Sequence, residues 1–336
     1  MRAQIEPVKT RLPYIYNGKV RDTMRLPDGL LAIVASDRIS AFDHILPDGI
    51  PGKGIVLTQT SNWWMKRLER LAPNHLVQAL DSEKSPEGLT GPIFKKSDMP
   101  DLRYRTIIVR ELTMLPIEFI VRGNLTGNGW KDYQKTGIVG GHKLPREMQK
   151  SQSLPAPILT PSTKAPKGQP DEYITCDQAK EILFTLGYAD NVWADCQNYA
   201  LGLFIAARGI AAERGLVLVD TKFEFGIDQG GRVILGDEIL TPDSSRFWDA
   251  TDFERAFAKG IEPDSFDKQF VRNYLIGLER DGLWSRDDLD GPEPELPDDI
   301  VIKTIDKYLA CNERITNHGN PIINKMRKEF AREYGA

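Results

Sequence analysis

The stretch LVLVDTKFEFGIDQGGRVILGDEILTPDSSRFW, Leu216 to Trp248, decides how this chain is read. It opens on an apolar run, Leu216 to Val219, of the kind that forms a buried strand. Alternation follows: Asp220, Lys222 and Glu224 share one parity, and Phe223 and Phe225 share the other. Successive side chains of a strand point to opposite faces. Two carboxylates and an ammonium are therefore expected on one face, with two aromatic anchors on the other. Gly226 to Gly231 supplies turn chemistry. A second strand-like run, Arg232 to Leu235, ends in Gly236-Asp237-Glu238, and a hairpin would bring Asp237 back toward Glu224. Carboxylates so placed suit a hard divalent cation such as Mg²⁺ that also holds phosphate oxygens. Asp243, Ser244, Ser245 and Arg246 follow, groups fit to hold an anionic substrate. The plain alternative is a solvated hairpin with its charges in water. It accounts poorly for a charged face set between apolar anchors.

Working outward, the 336 residues exceed one average domain, and 40% apolar with 27% charged residues describe a globular chain. A net charge of -4 argues against a general nucleic-acid or membrane-surface binder. Three widely spaced cysteines, Cys176, Cys196 and Cys311, give no CxxC and no disulfide framework, and four histidines give no HExxH. Structural zinc and redox chemistry are thereby disfavoured. The N-terminal MRAQIEPVKT lacks a signal-peptide core, and no apolar run reaches the length of a membrane span, so a cytoplasmic location is expected.

Upstream, residues 12 to 44 read as a β-meander. Leu12 to Asn17 and Asp22 to Leu26 are strands around the basic turn Gly18-Lys19-Val20-Arg21. Pro27-Asp28-Gly29 is a turn, and Leu30 to Ala35 is a buried strand ended by Ser36-Asp37-Arg38. A Gly beside a Lys after a strand lets backbone and ammonium approach phosphate oxygens, although no P-loop motif occurs. Gly49 to Gly54 reads as a loop, Thr58 to Leu71 as a helix with core tryptophans, 81 to 102 as an excursion, and Arg105 to Arg110 as a strand. Within Leu115 to Trp130, LPIEFIVRGNLTGNGW, Ile117 to Val121 reads as a strand with Glu118 in its interior and Arg122 at its end. The glycines 123, 127 and 129 then point either to backbone amides presented to an anion or to a glycine-rich hairpin loop. Residues 140 to 170 read as a long surface loop closed by Asp171-Glu172. Thr175 to Leu186 and Asp190 to Arg214 are helices, the second carrying an apolar stripe. Beyond Trp248 the chain is helical, over 251 to 259, 265 to 278, 298 to 315 and 321 to 334, with a linker at 291 to 297. No internal repeat occurs.

Three blocks in this order resemble the SAICAR synthetase family of purine biosynthesis. They are NGKVRD with SDRISAFD, Asn17 to Asp43; LPIEFIVRGNLTGNGW; and LVDTKFEFG with GDEILTPDSSRFW. The tail, with FVRNYL at Phe270 to Leu275, is similar to that of the longer members. Asn128 stands where many members carry Ser, and an amide can replace a hydroxyl as donor and acceptor. The resemblance implies an α+β fold. It comprises an N-terminal β-rich lobe like the small lobe of protein kinases (1–115), an ATP-grasp-like central domain (116–250) and a helical C-terminal extension on the core (251–336). It implies ligation of L-aspartate to a phosphoribosyl aminoimidazole carboxylate with ATP and Mg²⁺.

On that basis Gly18, Lys19 and Arg21 are expected at the ATP phosphates, and Glu224, Asp237 and Asp171 at Mg²⁺. Lys222 would neutralise the transferring phosphoryl group. Arg122 and Arg246 would take the ribotide's phosphate or carboxylate, and Asn128, Asp220 and Ser245 would orient it. Arg38 and Ser40 are the candidates for aspartate. The chemistry demands clamps and positioning more than a protein nucleophile. Three rivals stand beside this reading. A kinase-like phosphotransferase would require HRD and DFG motifs, which are absent. The others are a different carboxylate–amine ligase and a non-catalytic nucleotide-binding module. The sequence names no oligomeric state.

Overall fold

The computed structural model describes residues 3–6, 14–42, 44–81, 102–164, 171–288 and 291–334. Tyr14–Asn17 (β1), Arg21–Arg25 (β2) and Leu30–Ala35 (β3) pair antiparallel around the two expected turns. Asp28 and Gly29 both take positive φ, 59° and 69°, the twist a tight hairpin needs. The third strand ends at Ala35, ahead of Ser36-Asp37-Arg38 as expected, but the meander expected to run to residue 44 leaves this sheet there. Arg38–Ala41 (β4) and His44–Gly49 (β5) form a separate hairpin.

The first helix, α1, spans Lys53–Leu68, starting and ending earlier than its periodicity indicates. Its early start has a distant cause. The carboxylate of Asp37 accepts the Gly54 amide at 2.9 Å, satisfying a donor that a helix's first turn leaves orphaned. Asp37 also takes both Nη groups of Arg105, at 2.9 and 3.2 Å. The SDR block thus ties sheet to helix. Leu76–Ala79 (β6) and Thr106–Arg110 (β7) complete a sheet of order β1-β2-β3-β7-β6, with Met24, Ala32, Val34, Leu80 and Ile108 in its core. Most of the expected excursion, 82 to 101, lies outside the described residues.

Thr113–Asn124 (β8) is twice the length foreseen and swallows Gly123. Gly127–Thr136 (α2) then opens directly after it, so the glycine-rich stretch is a strand end leading into a helix rather than a hairpin loop. The surface loop expected over 140 to 170 is instead, in its described part to 164, built of the small hairpin Ile138–Val139 (β9) and His142–Lys143 (β10), then Ser153–Leu159 (β11) and Ser162–Thr163 (β12). Both β11 and β12 pair with β8. Their proline- and serine-rich sequence hid strands whose pairing partner lies some forty residues away. Cys176–Thr185 (α3) starts on a capping box of Thr175 and Gln178. Asp190–Ala212 (α4) buries Val192, Trp193, Cys196, Ala200, Leu203, Phe204, Ala207 and Ala211 in one stripe.

Leu216–Ile227 (β13) is the centre of a six-stranded antiparallel sheet. It is flanked by β8 and by Val233–Gly236 (β14) and Ser245–Asp249 (β15). Phe223 and Phe225 are fully buried. Phe225 meets Phe119 edge-on at 5.1 Å and Tyr199 of α4 at 6.3 Å. The aromatic face foreseen in Leu216 to Trp248 is therefore the face that packs on α4. Ala250–Ala258 (α5) follows.

Three helices end the chain: Gln269–Arg280 (α6), Asp298–Thr316 (α7) and Pro321–Tyr334 (α8). Two units result, one of Met1–Trp63, Leu76–Glu111 and Phe266–Ala336, the other of Trp64–His75 and Leu112–Ser265. Within the first, Val271, Leu275, Tyr308, Leu309, Ile323 and Phe330 share a core with Ile39, Leu46, Val56 and Leu57. The fold is mixed α+β. No helix among the described residues is long and apolar enough to cross a membrane.

Candidate active site

Along β13 the charged parity behaves as its spacing predicts. Glu224 lies opposite Glu118 of β8 and Gly236 of β14, and Lys222 lies opposite Ile120. The ammonium of Lys222 reaches Glu118 at 2.6 Å and Glu224 at 3.0 Å. The second oxygen of Glu224 holds Lys164, and Ser162 donates to Glu118 at 3.0 Å. Asp237 follows the strand end opposite Glu224 and takes a left-handed φ of 53°. Burial would lower the pKa of Lys222, but Glu224, Glu118 and Asp237 together hold it above the ordinary lysine value. Lys164 is raised against the same burial by Glu224 and Asp237. Glu118 is pushed up, by burial first and with Glu224 and Asp171 adding to it. Asp237 and Asp171 are thus both within electrostatic reach of the row.

The other end of the charged face is a guanidinium corner. Asp220 lies opposite Arg122 on one side and Arg246 on the other, with ion pairs of 3.6 and 3.9 Å. Thr160 fixes the Arg122 Nε at 2.9 Å. Ser245 bonds Thr221 at 2.7 Å. Asn128 donates to the Tyr173 hydroxyl at 3.0 Å, and Arg122 sits 5.9 Å from that ring's centre. The first turn of α2 closes the corner. Gly127 has a φ of +56°, and a Cβ there would lie 3.3 Å from the Arg246 guanidinium. Only glycine brings this backbone so close without strain.

The remaining predicted residues gather in the first unit. Gly18 is a tight turn, its amide bonded to the Arg21 carbonyl at 2.8 Å, and a Cβ would strike that oxygen. Lys19 stands exposed at the tip. Arg38 is buried beneath it and donates to the carbonyls of Gly18 and Lys19, each at 3.1 Å, and to Asp22 at 2.8 Å. Its fork braces the turn. Ser40 lies buried in β4.

Lys164, Glu118, Thr160 and Thr126 complete these clusters and were missed as site groups. Glu118 had a signal, a carboxylate inside an apolar strand. Lys164 and Thr160 sit in a segment that reads as loop and gain meaning only through pairing with β8. Among the described residues no group of three or more His, Cys, Asp or Glu side chains is arranged to hold a metal ion. The donor chemistry still fits Mg²⁺. Glu224 and Asp237 are hard oxygen donors, and this ion commonly uses one or two carboxylates with phosphates and water.

The SAICAR synthetase family model matches residues 14–284. The chain belongs to the SAICAR synthetase family. A phosphoribosylaminoimidazole-succinocarboxamide synthase of Thioalkalivibrio sulfidiphilus is 46% identical over 307 residues, 91% of this chain and 96% of that protein. The namesake from Neisseria meningitidis serogroup A is 44% identical over 88% of this chain and 94% of its own length. Among solved structures, the SAICAR synthase of Saccharomyces cerevisiae complexed with SAICAR is 37% identical, with a TM-score of 0.74, covering 94% of this chain and 98% of that one. Family membership accounts for the three sequence blocks, and the geometry shows where each falls: the braced turn, the β8–α2 junction and the charged row of β13.

Proposed function

We infer that this chain joins L-aspartate to 5-amino-1-(5-phosphoribosyl)imidazole-4-carboxylate, consuming ATP and releasing SAICAR, ADP and phosphate. A carboxylate is a poor acyl donor because oxide leaves badly. Transfer of the γ-phosphoryl group forms a bond from the carboxylate oxygen to phosphorus and breaks the bond to the β-phosphate oxygen. The aspartate amine then attacks the acyl carbon, the carbon–oxygen bond breaks, phosphate leaves, and the amine loses a proton.

The single observation carrying this reading is the row Asp220, Lys222, Glu224 on one strand face, with two arginines flanking its first member. The row separates a carboxylate–ammonium end from a guanidinium end, as a reaction between a metal-bound triphosphate and an anionic ribotide requires. Glu224 and Asp237, with Asp171, are proposed to hold Mg²⁺. Bound there, the ion would neutralise phosphate oxygens during transfer. Lys222 offsets charge on the transferring group. Arg122 and Arg246 bind the ribotide's anionic groups as planar forks, and Asn128, Ser245 and Asp220 orient it. Gly18, Lys19 and Arg21 are proposed at the ATP phosphates. Arg38 and Ser40 are proposed for the aspartate end, and Arg38 also braces the turn proposed for the ATP phosphates. We read the first unit's sheet as similar to a kinase small lobe and the second unit as ATP-grasp-like. We propose that the reaction takes place in the cytoplasm.

Purified protein incubated with ATP, Mg²⁺, aspartate and the carboxylated ribotide should yield ADP and SAICAR in equal amounts. ADP formation that ignores aspartate and the ribotide would overturn the assignment.

A further inference from the structure

A carboxylate of the chain itself occupies the guanidinium corner. Glu262 lies on the loop between α5 and Phe266. It accepts from the Thr126 hydroxyl and from the Lys150 ammonium at 2.7 Å, and it lies 3.9 Å from Arg246. Thr126 is the N-cap of α2, yet its hydroxyl caps no helix amide. It accepts from Arg246 at 3.1 Å and donates to Glu262. The positive end of α2 and two cationic side chains, Lys150 and Arg246, therefore face this point. Among the described ion pairs here, Arg122, Arg246 and Lys150 meet Asp220 and Glu262, three positive charges to two negative, a surplus of one. With Glu262 withdrawn the surplus is two, the complement of a phosphate dianion. Lys150 and Glu262 are both about two-fifths exposed, so withdrawal disturbs no core.

We propose that Glu262 is an intrachain anion that holds the phosphate-binding corner until the substrate's phosphate displaces it, and so sets the ribotide's affinity. This rests on the reading of Arg122 and Arg246 as the groups that bind the ribotide's phosphate. A site open in about a tenth of molecules binds about tenfold more weakly than its intrinsic affinity.

Glu262→Gln keeps the loop's shape and removes the competing charge. The ribotide's KM and its calorimetric Kd are expected to fall about tenfold by that relation, with the KM for ATP unmoved. Inorganic phosphate should bind more tightly to the variant as well. The inhibition constant of the riboside lacking the 5′-phosphate should not change, which a general loosening of the site would not reproduce. A ribotide Kd that stays level or rises in Glu262→Gln overturns the proposal. Arg246→Ala separates the two layers. If it weakens ribotide binding while Glu262→Gln has no effect, only the role of Glu262 fails. If Arg246→Ala leaves ribotide binding unchanged, the phosphate corner fails and this inference with it.

Discussion

Glu224 is 3% exposed in its side chain, and both of its oxygens hold lysine ammoniums. A buried carboxylate is tolerable only when paired, so the two lysines make its position possible. Glu224→Gln keeps the shape and loses the charge. Its kcat/KM should fall by about 10² to 10³, the scale of losing one preorganised electrostatic group, while the melting temperature shifts by only a few degrees. Turnover near the wild-type rate would remove Glu224 from the mechanism.

Lys222 gives a prediction with a defined sign. Its pKa is raised in the folded state above the ordinary value of 10.5. A lysine raised on folding stabilises fully below its unfolded pKa and loses that contribution as pH rises through the folded one. Lys222→Met should therefore lower the urea midpoint at pH 8, and the gap to wild type should narrow above about pH 10.5. A gap that stays constant across that range would contradict the ion-pair row. This row was legible in the sequence because a strand's period of two is local. Lys164 was not, because it reaches Glu224 across 60 positions through β12 pairing.

At the scale of elements, boundaries set by local chemistry were readable and those set by distant partners were not. The capping box at Thr175 lies within one turn and marks α3 correctly. Asp37 caps α1 from another element, so the helix begins five residues before its periodicity shows. The junction of β8 and α2 is a third case, where glycine spacing alone cannot tell a hairpin from a helix start. Two substitutions compare these elements. Thr175→Ala should cost about 1 kcal/mol in urea titration, the usual loss for a cap, and leave the kinetics unchanged. Gly127→Ala forces a Cβ into a positive-φ position against Arg246 and should cost at least about 1 kcal/mol. It should also raise the ribotide's KM several-fold. Equal kinetic effects from both would deny the α2 start a role in binding.

At the largest scale, the first unit is completed by the chain's last helices. The family model stops at residue 284, yet Tyr308, Leu309, Ile323 and Phe330 beyond it are buried with Ile39, Leu46, Val56 and Leu57 from the first sixty residues. The sequence reading places helices over these residues, but nothing local says which surface receives their apolar faces. The burial makes α7 a core element of its unit rather than an appendage. Leu309→Ala should then cost about 2 to 5 kcal/mol, the lost transfer energy plus the cavity left by a fully buried leucine. Ile205, on α4, is 58% exposed, and Ile205→Ala should stay within about 0.5 kcal/mol. Urea midpoints of the two variants, measured beside wild type, decide the matter. If Leu309→Ala is as mild as Ile205→Ala, α7 does not share a core with β4, β5 and α1, and the first unit needs another account of what stabilises it.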